Sequence, residues 1–178
     1  MNIFVVDECP ITAARMLCDK HVPKMVVESA QMLASALRRH GATDDVMPIA
    51  KTTGRPYKGG YHNHPCTVWT SVSQQNFLWL LHHGLTLSAE YLKRFHRQHA
   101  CHAPIYEMGE LFNIIPAGGL TPFARAFNKK LYPFLDDEER YTAVEAYRTY
   151  YSLDKRRFAS WDKGTPAPHW WVKEKVIQ

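Results

Sequence analysis

Between positions 22 and 39 the apolar residues recur with the period of a helix. Val26, Ala30, Leu33 and Leu37 form one stripe. His21, Met25, Glu28 and Met32 form the stripe beside it, at i, i+4, i+7 and i+11. Pro23 is tolerated in the first turn, and His40-Gly41 after Arg38-Arg39 is a stop that suits the helix dipole. The pattern therefore predicts a helix over 22–39 with an imidazole and a carboxylate at the edge of an apolar seam, about 10 Å apart along the axis. A partly dehydrated carboxylate in that position is suited to moving protons.

The rest of the chain reads in the same way. Residues 2–6 are a short, extended, buried run, and Pro10 opens a helix to about residue 18. Residues 41–64, rich in Gly, Pro and Thr, form a long loop. Pro65 opens a helix over 65–83 that Gly84 ends, and Ser88 caps a further helix to about residue 99. Shorter helices are expected at 104–112 and 123–131. The acidic run Asp136-Asp137-Glu138-Glu139 starts a helix reaching about residue 153. The segment 160–178, with Trp161, Trp170 and Trp171, is expected to pack irregularly. With no alternating strand pattern and no repeat, the expectation is one mostly α-helical domain over 1–178.

Composition narrows the class. A chain of 178 residues, 46% hydrophobic and 22% charged, can bury a core without staples. No run approaches the roughly 18 apolar residues that span a bilayer, and the start lacks the basic region of a signal peptide. Cys9, Cys18, Cys66 and Cys101 show no framework spacing, so reduced thiols and a cytoplasmic location are expected, with no membrane partner. The absence of a Gly-rich phosphate loop, a nucleophile elbow and a dinucleotide fingerprint argues against a kinase, an ordinary serine hydrolase and a nicotinamide enzyme. The net charge of +5 points weakly to nucleic acid. Arg55, Lys58, Lys155, Arg156 and Arg157 are the candidate phosphate contacts on double-stranded DNA.

Each candidate group has a plainer alternative. Glu28 is either a reactive carboxylate or the surface partner of Lys24 one turn earlier. His21 either orients a phosphate or sits at the core edge. His62, Asn63 and His64, just before a helix start, form a corner suited to a phosphate or a base, although Asn63 also stabilises turns. Tyr147, Tyr150 and Tyr151 fit the buried face of a helix. Cys18-x-x-His21, His62-x-His64-x-Cys66 and His99-x-Cys101-His102 carry zinc-type ligands without a common zinc spacing, so neither a metal nor another cofactor is expected.

Asp19-Lys20-His21 followed by Glu28, and then Gly60-Tyr61-His62-Asn63-His64-Pro65, resemble the pyrimidine-dimer DNA glycosylases of the phage endonuclease V type. The resemblance covers mainly residues 1–95, with a weaker echo in the aromatic, basic C-terminal part. It implies a compact helical fold in which Glu28 is the essential carboxylate and a chain-terminal amine is the nucleophile. Asn2 is bulky enough to keep the initiating methionine, which leaves that part to Met1, whose amine is partly neutral near pH 7. Val27 and Gln31 stand where the family carries arginines. Two other readings stay open. One is a phage transferase that attaches an amine or amino acid to an activated 5-hydroxymethyl pyrimidine, with Glu28 as base. The other is a non-catalytic DNA-binding protein. The oligomeric state is not readable from the sequence.

Overall fold

The computed structural model of the protein describes residues 1–171. Among the described residues six helices carry the fold: α1 (Pro10–Met16), α2 (His21–Arg39), α3 (Pro65–Val72), α4 (Gln74–Phe95), α5 (His102–Gly109) and α6 (Ala143–Asp154). Two short 3-10 turns lie at Phe112–Ile114 and Pro133–Asp136. In the long loop, β1 (Ile49–Ala50) pairs antiparallel with β2 (Arg55–Pro56), Ile49 facing Pro56. The architecture is mostly α, as the periodicity predicts.

Helix α2 is the axis of the molecule, packed by α3, α4 and α5. Its predicted seam (Val26, Ala30, Leu33, Leu37) is wholly buried, and so is the neighbouring stripe, so only a narrow strip near Lys24 and Val27 meets solvent. Residues 2–6 are buried with no strand partner, but they are not the extended run that the sequence suggests, since the Val6 N–H turns back to the Phe4 carbonyl. Phe4 has a φ of 44°, a left-handed conformation costly for a side chain with a Cβ.

Five local expectations give way. The helix expected over 65–83 breaks at Ser73, whose extended backbone separates α3 from α4. The Ser73 hydroxyl accepts from the Asn76 N–H and donates to the Gly119 carbonyl, so a distant loop holds the break. Gly84 does not end a helix, because α4 runs through it to Phe95. A Cβ on Gly84 would stand 3.0 Å from that of Ser29, so this glycine permits close approach of α2 and α4. Ser88 is accordingly inside α4, where its hydroxyl pairs with His102 Nδ1 rather than capping. Residues 123–131 form no helix. The acidic run precedes α6 instead of starting it, and a reciprocal capping box between Thr142 and Glu145 opens that helix.

The C-terminal third closes back on the start. Arg94, fully buried, donates to Asp19, Glu90 and the carbonyls of Leu17 and Arg15. Asp19 also accepts from the Asp162 N–H, its own N–H donates to Ser160, and Thr165 donates to Glu90. Two carboxylates around one guanidinium, with further donors from the Asp162 N–H and the Thr165 hydroxyl, offset the cost of burying the charges. The expected irregular packing of 160–171 holds, with Trp161 donating to the Met16 carbonyl. Residues 172–178 of that expectation lie outside the described residues.

Candidate active site

The site is organised by the first four residues. The side-chain oxygen of Asn2 accepts from the N–H groups of Ile3 and Phe4, at 2.8 and 3.0 Å, and its amide donates to the Ala126 carbonyl. This local turn explains why residues 2–6 need no strand partner. It also aims the Asn2 backbone N–H at Glu28 Oε2, 2.8 Å away. The Met1 amine stands 3.7 Å from the same oxygen, and Lys24 Nζ lies 3.6 Å from Oε1. Glu28, only 8% exposed, is thus held between the chain terminus and a lysine one turn earlier.

Around this pair opens a cleft of about 600 Å³. One wall comes from Met1, Asn2, Phe4, Lys24, Glu28, His64 and Pro65. The other is the segment 125–130 with Tyr150 and Lys155. Lys155 lies over the rings of Phe4 and Tyr150, at 5.5 and 5.0 Å, and pairs with Asp154. Arg125 is held by the carbonyls of Leu135 and Tyr141, and Lys129 by Asp136. Set against one carboxylate, the cations Lys24, Arg125, Lys129, Lys130 and Lys155 make the cleft hospitable to a polyanion.

His64 Nδ1 caps α3 by accepting from the Cys66 N–H, which leaves Nε2 to carry the proton of the neutral ring. Partial burial and then the Met1 ammonium hold His64 below the ordinary histidine value, while Glu28 pulls the other way. Cys66, behind it, is pushed by burial up to about 12 and is a thiol.

Met1, Glu28 and His64 therefore meet, but His21 does not join them. It is buried behind Phe4, on which it stacks at 4.7 Å, with Phe158 edge-on and Nδ1 bonded to the Tyr151 hydroxyl at 2.7 Å. Burial first, and then the charges of Lys155, Lys24 and Lys20, lower it to about 3. A neutral imidazole in an aromatic box cannot touch a phosphate. It can fix Phe4, and through Phe4 the chain start.

The expected DNA contacts separate into two groups. Lys155 lines the cleft, and Arg156 and Arg157 are exposed just beyond α6. Arg55, Lys58, His62 and Asn63 are exposed on the loop before α3 and do not line the cleft. Lys58 is paired with Asp44, and the His62 carbonyl accepts from Arg39. The expected burial of Tyr147, Tyr150 and Tyr151 holds. Among the described residues no three His, Cys, Asp or Glu side chains gather as a metal site. No helix among them is long and apolar enough to cross a membrane.

The residues that sequence reading missed are Asn2 as an anchor and the wall at 125–130. The only signal for that wall was the pair Lys129-Lys130, hidden in a segment whose pattern suggested a helix. An amine beside a carboxylate, in a cleft that attracts anions, is equipped for nucleophilic attack on an anionic substrate. In comparison with known proteins, residues 1–103 match the family described as pyrimidine dimer DNA glycosylase. No curated protein and no solved structure matches the chain significantly.

Proposed function

The chain belongs to the pyrimidine dimer DNA glycosylase family, and from that premise we propose that it removes a damaged or modified pyrimidine from double-stranded DNA, with the Met1 amine as nucleophile and Glu28 as its carboxylate. The observation that carries the reading is the 3.7 Å approach of that amine to Glu28 Oε2 in a cleft whose other charged side chains are all cations.

The steps follow from these groups. Glu28 takes a proton from the ammonium, and the freed nitrogen attacks C1′ of the target nucleotide. The N–C1′ bond forms as the glycosidic bond breaks, and its electron pair leaves with the base, which takes the proton held by Glu28 and returns the carboxylate to its anionic form. The nitrogen sheds a further proton, its lone pair opens the sugar ring, and O4′ takes up a proton. The product is a Schiff base between Met1 and C1′. Water can hydrolyse it to the abasic aldehyde. Alternatively, loss of a C2′ proton to Glu28 expels the 3′ phosphate and cuts the strand. The carboxylate regenerated as the base leaves also stabilises the positive charge of the Schiff base. Lys155 and His64 hold neighbouring phosphates, while His21 acts as a positioning residue behind Phe4. No step calls for a metal or another cofactor.

Borohydride trapping on ultraviolet-irradiated duplex DNA tests the proposal. The expected result is base release together with a reduced protein–DNA adduct that peptide mass spectrometry assigns to Met1. Adduct formation at Lys24 or Lys155 would move the nucleophile. Amine transfer to a pyrimidine without base release would establish the transferase chemistry instead, and binding without any product would leave a non-catalytic DNA-binding protein.

A further inference from the structure

Beside the cleft runs a second groove of about 600 Å³, lined by Leu131, Tyr132, Leu153, Asp154, Arg156 and Arg157. The two share a partition, because Tyr132 packs edge-on against Tyr150 of the cleft at 5.5 Å and its hydroxyl donates to Asp154, the ion-pair partner of Lys155. At the junction stands Leu131, 64% exposed, directly after the cleft residues Lys129 and Lys130. A lone exposed leucine is ordinary on a protein surface. This one is held on a fixed tip. Asn128 Oδ1 accepts from the N–H groups of Lys130 and Leu131, and the Asn128 carbonyl accepts from Leu131 and Tyr132. Leu153, 49% exposed, continues the apolar surface, and Arg156 and Arg157 flank it.

An apolar tip between cations, next to a cleft where a sugar of the duplex has to meet the Met1 amine, has the parts needed to open a base stack. Cations hold the two backbones, and the apolar tip replaces the stacking lost when the stack opens. We infer that Leu131 is a wedge that enters duplex DNA beside the target nucleotide and holds the base stack open there. The occupant of the groove is duplex DNA, because two of the three charged groups framing the leucines are arginines and Lys129 and Lys130 precede Leu131. The inference rests on the DNA-acting reading above. Leu131 also lies outside the residues that match the family.

Leu131→Ala and Leu131→Met separate the possibilities. Base release is measured on one lesion in duplex and in single-stranded DNA, and unstacking is read from 2-aminopurine placed opposite the lesion in the duplex. The expected result for Leu131→Ala is a loss of at least about tenfold in release from duplex. Release from single strands should be unchanged, the 2-aminopurine signal lost, and both duplex readouts restored in Leu131→Met. Equal loss on both substrates, or an unchanged signal, would overturn the wedge. So would a dimer of the free protein, seen by sedimentation, that Leu131→Ala abolishes while the DNA readouts persist. Because fluorescence reports binding without product, a wild-type protein that unstacks DNA through Leu131 yet releases no base would sink the enzymatic reading and keep the wedge. Release that ignores Leu131 would do the reverse.

Discussion

Asn2 commits its whole side chain and its backbone N–H. Its side chain receives two N–H groups and donates to Ala126, while its backbone N–H donates to Glu28. Asn2→Ala should cost about 1–3 kcal/mol, since buried N–H groups lose their acceptor. Urea unfolding measures that cost, and activity should fall with it because the amine loses its aim. Glu28→Gln is the complementary test. It keeps shape but removes charge and base, so product formation should fall by about two orders of magnitude or more while DNA affinity, read by filter binding, stays within a few-fold. Full activity would reduce Glu28 to a partner of Lys24. Glu28 was legible because helical spacing puts it beside the seam. The anchoring part of Asn2 was not, since its partner Ala126 lies 124 residues away. His21 shares the stripe of Glu28, but Phe4, arriving from the chain start, lies between the histidine and the cleft.

At the scale of elements, α2 was readable almost to the residue because a period and a stop signal agree. The region from 65 to 95 was not. Gly84 looks like a stop in one dimension and is a contact in three, while Ser73 looks unremarkable and holds a break. Glycine lowers helix propensity by about 1 kcal/mol, and only the nearness of Ser29 shows what that loss obtains. Gly84→Val should therefore force α2 and α4 apart and destabilise the fold by about 1–3 kcal/mol, seen as a lower urea midpoint with an unchanged slope. An unaffected midpoint would mean that the helices yield freely. The segment 123–131 misled for another reason. Phe127 turns toward Tyr147 and Tyr150 of α6 while Phe123 packs on Trp69 and Trp79 of α3 and α4, a tertiary demand that no local pattern carries.

Across the whole molecule, two buried neutral histidines set the response to acid. Burial lowers His21 to about 3 and His83 to about 4. In the unfolded chain both titrate near 6.5. Between that value and about 4 the unfolded state binds more protons than the folded one, so stability rises with pH through this window. Their contribution is complete above about pH 7 and is lost progressively as pH falls toward 4 and 3. The melting temperature should be flat above neutrality and fall steadily below pH 6.5. Replacement of His83 by a neutral residue that folds should flatten part of that slope. Cationic walls set the response to salt. Affinity for DNA should fall linearly on a double-logarithmic plot, and Lys130→Ala should reduce the slope by about one. An unchanged slope would place Lys130 away from the backbone.

The hydrogen bond between Asn2 and Ala126 also bears on when the protein becomes active during its own synthesis. The ribosome adds about 5–20 residues per second, so the first turn waits on the order of 6–25 s for its partner to be made. Through that interval the nascent chain holds an amine and a carboxylate but no opposite wall, and Asp19 lacks Ser160 and Asp162. Chains that stall before the last third therefore lack one wall of the cleft. The complete cleft arrives only after residues 125–130, Tyr150 and Lys155 have been made.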